Sequence, residues 1–127
     1  MLPPEECAAL VWLDLFGAMI GNTDRHFGNI SLLPVDAARN RFRLAPAYDM
    51  LPMCHRPRQG EELSFTPYTP QPVITPRLDL AESARQAALR FWEQCATDQR
   101  ISTRFRALSA ENLASLQMHG DGPRLVG

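Results

Sequence analysis

From Ala8 to Ile20 every residue except Asp14 is apolar or small. A run of that kind predicts a helix buried on most sides, because no polar face is left for water. Pro3 and Pro4, then Glu5 and Glu6, suit its start: proline is tolerated in the first turn and acids face the positive dipole end. Gly21 and Asn22 supply the stop. Two short alternating runs follow, Asn29 to Leu33 and Arg41 to Leu44, with the turn formers of Pro34 to Asn40 between them. They predict an antiparallel hairpin with Ile30, Leu32, Phe42 and Leu44 on its inner face. Residues 57–76 hold five prolines and little periodicity, so they predict an extended, surface-draped connection. Helical spacing returns with Leu80, Ala84, Ala87, Ala88, Phe91, Trp92 and Cys95, and Asp79 with Glu82 has the form of a capping box. A further helix is expected over about Thr97 to Leu108, and another from Ser109, as N-cap, to Gly120. The tail from Asp121 to Gly127 is expected to fray.

The fold expected is α+β, mainly α: one domain over residues 1–127. It divides into a buried helix (1–20), a loop and hairpin (21–53), a proline-rich connection (54–78) and helices (79–120). With 45% hydrophobic and 21% charged residues the composition is that of an ordinary globular domain. A net charge of −1 offers no bulk field for nucleic acid or an anionic membrane, so neither is expected as a partner. The thirteen-residue apolar run is short of the roughly 20 residues that span a bilayer. Cys7, Cys54 and Cys95 are odd in number and far apart, which suits a reducing cytoplasm and three small buried hydrophobes. No histidine pair has metal-ligand spacing, and His55 is given no role.

The chemistry concentrates in the loop GNTDRHFGN, residues 21–29. In an antiparallel hairpin the residue entering the first strand lies beside the residue leaving the second. Asn29 enters and Ala45-Pro-Ala-Tyr-Asp49 leaves, so Asn29 and Asp49 are expected to meet, with side-chain oxygens within about 5–6 Å, and Asp24 feeds the same end. Magnesium takes hard oxygens, one or two of them from protein and the rest from phosphates and water. Asn29 and Asp49 would supply those two, leaving Asp24 to accept a proton from an attacking hydroxyl. Protein kinases space a catalytic Asp and a metal-binding Asn in the same way, with a metal-binding Asp further on. The competing reading is a polar turn, in which Asn22, Thr23 and Asp24 satisfy the helix end and nothing more.

The stretch GNTDRHFGNISLL, followed by FRLAPAYDMLPM, resembles the catalytic core of the HipA family of serine/threonine kinases, the toxins of bacterial toxin–antitoxin pairs. In that family a T-D-x-H-x-x-N loop holds the catalytic aspartate and a metal-binding asparagine, and a later Y-D holds the second metal ligand. Thr23 to Asn29 and Tyr48-Asp49 match those pieces. The resemblance implies Asp24 as base, Asn29 and Asp49 as magnesium ligands, and His26 and Tyr48 as supports. It implies ATP and magnesium as cofactors, a protein hydroxyl as acceptor, and a kinase-like helical C-lobe as the fold. The implied partners are a protein substrate and either an N-terminal kinase lobe or an antitoxin. Such kinases are far longer and bear a nucleotide-contacting lysine. Here all 13 basic residues are arginine and the seven glycines form no G-x-G-x-x-G. The chain reads as the C-terminal portion of such an enzyme, inactive by itself; a non-catalytic helical remnant or interaction module is the other reading.

Overall fold

The computed structural model describes residues 2–23, 30–57, 65–70 and 75–118. Helix α1 spans Pro4–Met19, with Pro3 at the N-cap and Glu5 and Glu6 in the first turn. Its end follows from Gly21, whose φ of +78° reverses the chain. Asn22 then returns its backbone N–H to the Gly17 carbonyl at 2.8 Å, the six-to-one bond that closes a helix behind a left-handed glycine. Other carbonyls of the last turn are taken from far along the chain. Tyr68 Oη donates to Ala18 O at 2.7 Å and Trp92 Nε1 to Met19 O at 3.3 Å. Orphan acceptors at a buried helix end need such partners.

Only the C-terminal half of α1 is deeply packed. Leu15, Met19 and Ile20 are buried, whereas Val11 stays 39% exposed and Cys7 and Asp14 face outward. The expectation of a helix buried on most sides is thereby corrected, and with it that of three buried cysteines, since Cys7 is exposed. The reason lies in what faces α1. Helix α2, Leu78–Thr97, presents Ala81, Ala84 and Ala88, all fully buried, and can cover one side only. Small side chains let the helices approach closely, and Leu15 packs with Ala81 and Ala84, flanked by Trp12, Phe16 and Leu80. A second cluster joins Met19 and Ile20 to Ala88, Trp92 and Leu116.

The last helix differs from the sequence expectation in its bounds. Instead of two helices meeting at Ser109 there is one, α3, over Thr103–Met118. Helix α2 ends before a turn in which Asp98 Oδ1 accepts the backbone N–H of Arg100 at 2.9 Å. The cap is Ser102, whose Oγ accepts the Phe105 N–H at 3.2 Å. Ser109 cannot cap anything: it is fully buried mid-helix and its hydroxyl donates to Phe105 O at 2.8 Å. The capping box at Asp79 is likewise absent. Helix α2 begins one residue earlier, Asp79 pairs with Arg77 at 3.1 Å, and Glu82 accepts from Gln86.

The hairpin consists of β1, Leu32–Asp36, and β2, Arg41–Leu44, paired antiparallel with Leu32 opposite Leu44 and Pro34 opposite Phe42. A register shift between Pro34 and Asp36 leads into a 3-10 turn over Ala37–Arg39, closed by Asn40 at φ +55°. The strands stand clear of both core clusters. Phe42 and Leu44 are half-buried, but Leu32 is 46% exposed, so the inner face expected for it is not formed among the described residues. What anchors the hairpin is polar: Leu44 N–H donates to Glu6 Oε2 of α1 at 3.1 Å. Of the proline-rich connection the described parts run without helix or strand.

Candidate functional site

Of the proposed site, the described part is the open end of the hairpin, where Tyr48 and Asp49 leave β2. Ladder bonding continues past the strands, with Ala45 N–H donating to Ser31 O at 2.8 Å. Beyond it Ser31 Oγ and Tyr48 Oη share a hydrogen bond of 3.1 Å. Ser31, entering β1, therefore lies beside Ala45 and Tyr48, leaving β2. Asp49 follows in an irregular segment. Its φ of +55° is left-handed, a conformation that non-glycine residues adopt at a cost and that aspartate tolerates better than most. Its side is open to solvent.

The backbone at Asp49 is held from α1. Asn22, 4% exposed, donates from Nδ2 to the Asp49 carbonyl at 3.1 Å and approaches Met50 Sδ at 3.4 Å. One residue earlier, the Gly21 carbonyl accepts the Cys54 N–H at 2.9 Å, so the segment 49–54 is pinned at both ends against the helix stop. A side chain at Gly21 would collide with Cys54 Sγ and press on Tyr68. The tight approach pushes the half-buried Cys54 thiol up to about 11, chiefly through desolvation, against a smaller opposing backbone hydrogen bond.

Behind this layer sits a polar group that the sequence reading left without a role. His55 is buried between Trp92 and Phe105, each ring edge-on to it at 6.1 and 5.8 Å. Asn112 Oδ1 accepts the Tyr68 N–H at 2.7 Å, which orients the amide and leaves Nδ2, 2.9 Å away, as donor to His55 Nε2. The imidazole is thereby an acceptor at Nε2 and carries its proton at Nδ1. No spacing in the sequence announces this arrangement, because its members are 44 and 57 residues apart.

Of the expected site residues, Tyr48 and Asp49 are placed as described. Asp24, His26 and Asn29 lie outside the described residues, and so does the expected approach of Asn29 to Asp49. Asn22, expected at the helix stop, has a second task in the structure, holding the Asp49 carbonyl. The available signal was its position two residues ahead of Asp24. Among the described residues no group of three or more His, Cys, Asp or Glu could hold a metal by itself. Asp49 nevertheless fits a magnesium ligand by its chemistry: an exposed, hard carboxylate on a fixed backbone, where protein usually supplies only one or two oxygens. A groove of about 540 Å³ runs between α1 and the hairpin with the residues that leave it, past Glu6, Trp12, Leu13, Arg43 and Pro46.

A model of the HipA-like C-terminal domain matches residues 2–116. The chain belongs to the HipA family. It is 34% identical over 108 residues to a protein of Escherichia coli (strain K12) named toxin YjjJ, covering 80% of this chain and 22% of that protein. This HipA-family chain thus spans about a fifth of its relative's length. No solved structure matches it. Among the described residues no helix is long and apolar enough to cross a membrane.

Proposed function

We propose that the chain is the C-terminal catalytic portion of a HipA-like serine/threonine protein kinase, with a kinase-like C-lobe, that acts in the cytoplasm. The observation that carries this reading is the meeting of the two hairpin ends. The Ser31–Tyr48 bond sets Tyr48-Asp49 beside the strand that Asp24 and Asn29 lead into along the chain. In this reading Asp24 orients an acceptor hydroxyl and takes its proton as the oxygen attacks. Asp49 and Asn29 would hold magnesium, which with ATP bound supplies charge neutralisation at the phosphates. Tyr48 stiffens the turn through Ser31, and His26 supports the loop. A toxin among the relatives favours an antitoxin as one partner, and the kinase reading itself makes a protein hydroxyl the acceptor.

The experiment is a chimera in which residues 2–116 replace the matching segment of that toxin. Labelled phosphate transfer from ATP is measured for the chimera and for its Asp24→Asn and Asp49→Asn variants, with melting temperatures recorded beside them. Loss of transfer at unchanged melting supports the proposal, since a loop residue placed for chemistry contributes little to packing. Transfer that ignores both aspartates would favour a non-catalytic module.

A further inference from the structure

We infer that Asn22 is a positioning residue for Asp49: its buried amide holds the left-handed backbone that aims this carboxylate. The inference rests on the reading of Asp49 as a magnesium ligand and adds the group that sets its direction. Three observations carry it. Asn22 is almost wholly buried, where an amide is retained only with its hydrogen bonds made. Its Nδ2 donates to the Asp49 carbonyl, 27 residues away, at 3.1 Å. Asp49 itself holds φ +55°, an unfavourable backbone state that persists where the surroundings over-determine it.

The chain makes this tether stiff. Asn22 is fixed at its own backbone by the 2.8 Å bond to Gly17 O that ends α1, and Ile20 and Met19 are locked in the core. An amide mounted there is a rigid donor, so rotation of the Asp49 peptide would break the bond to its carbonyl. Asn22 also stands two residues before Asp24. One residue at the helix stop therefore starts the loop of the proposed base and orients the proposed metal ligand. Groups of this kind, which touch the ligand and not the metal, typically contribute ten- to hundredfold to metal affinity.

The test uses the 127-residue chain with Mn2+ as the probe. The Asn22→Asp variant keeps the shape but replaces the donor with an acceptor facing a carbonyl. Asn22→Ser, too short to reach, is read in the same way if Asn22→Asp does not fold. Met50→Leu removes the neighbouring sulfur and leaves the carbonyl bond. Two quantities are read at a temperature where each variant is folded: the Asp49 backbone chemical shifts, and the Mn2+ titration of that amide by paramagnetic broadening. The expected result is that loss of the Asn22 donor moves the Asp49 shifts out of the left-handed range and weakens Mn2+ by about tenfold. Met50→Leu should change neither. A lower melting temperature with wild-type Asp49 shifts would overturn the inference, leaving Asn22 as a structural amide alone. An Asp49→Asn variant separates the two ideas. If it leaves Mn2+ broadening unchanged, the metal reading fails, while the Asp49 shifts still decide whether Asn22 sets that backbone.

Discussion

Gly21 shows how one residue without a side chain lets three elements meet. Its positive φ ends α1, and its bare Cα admits Cys54 Sγ and the Tyr68 ring. Gly21→Ala should therefore destabilise by at least about 1–2 kcal/mol, the cost of a left-handed alanine, with displacement of Cys54 added to it. Urea unfolding of the two proteins would check the figure; equal midpoints would contradict it. Cys54 itself gives a pH dependence. Its thiol titrates near 11 in the fold against an ordinary 9.0, so the folded state keeps the proton longer than the unfolded chain does. The stability this contributes is complete below about pH 9 and is lost as pH rises towards about 11. Because Cys54 is only partly covered, the loss should be modest. Melting curves from pH 8 to 11 should fall more steeply for the wild type than for Cys54→Ala.

At the scale of elements, α3 was the hardest to read from sequence, and the cause can be named. Its buried face carries Ser109 and Asn112 together with Leu108 and Leu116, so burial and hydrophobicity diverge along it. Ser109 looked like a cap because a serine ahead of a helical stretch usually is one. Only the Phe105 carbonyl in reach of its hydroxyl showed otherwise. Helix α2 was legible through its apolar stripe, since Ala84, Ala88 and Trp92 prove fully buried. The hairpin was legible through its alternation and turn formers, with β1 starting later than expected. Asn112 provides the quantitative check on α3. Asn112→Leu keeps the volume but removes the acceptor of the Tyr68 N–H and the donor to His55 Nε2, and losing a buried polar partner costs about 1–3 kcal/mol. A drop of that order in the unfolding free energy is expected, and His55→Phe in the Asn112→Leu background should recover part of it. No recovery would mean that the His55 contact contributes little.

For the whole molecule the prediction is that residues 1–127 alone transfer no phosphate. Phosphoryl transfer is positioning and charge stabilisation, and its parts must act together. Nothing in this sequence offers a lysine for the phosphates or a glycine-rich turn to cradle them, and arginine is a poor stand-in for a compact ammonium. ATP affinity no better than about millimolar is expected. Labelled ATP and magnesium with the purified chain should give no incorporation beyond that of Asp24→Asn; incorporation dependent on Asp24 would overturn the expectation.

Sequence alone determined what is local or periodic. The stop of α1 at Gly21-Asn22, the apolar stripe of α2, the hairpin and the motif pieces around Asp24 and Asp49 all follow from neighbouring residues. Family membership was legible for the same reason, through two short motifs. Tertiary structure decided whatever depends on residues far apart in the chain. It chose which side of α1 is covered, because three alanines of α2 fit against one face and no other. It gave His55 a partner in Asn112 and gave Asn22 the Asp49 carbonyl. A hydrogen bond across tens of residues leaves no period and no spacing to read. It exists only once hydrophobic packing has brought its donor and acceptor together and excluded the water that would otherwise satisfy them.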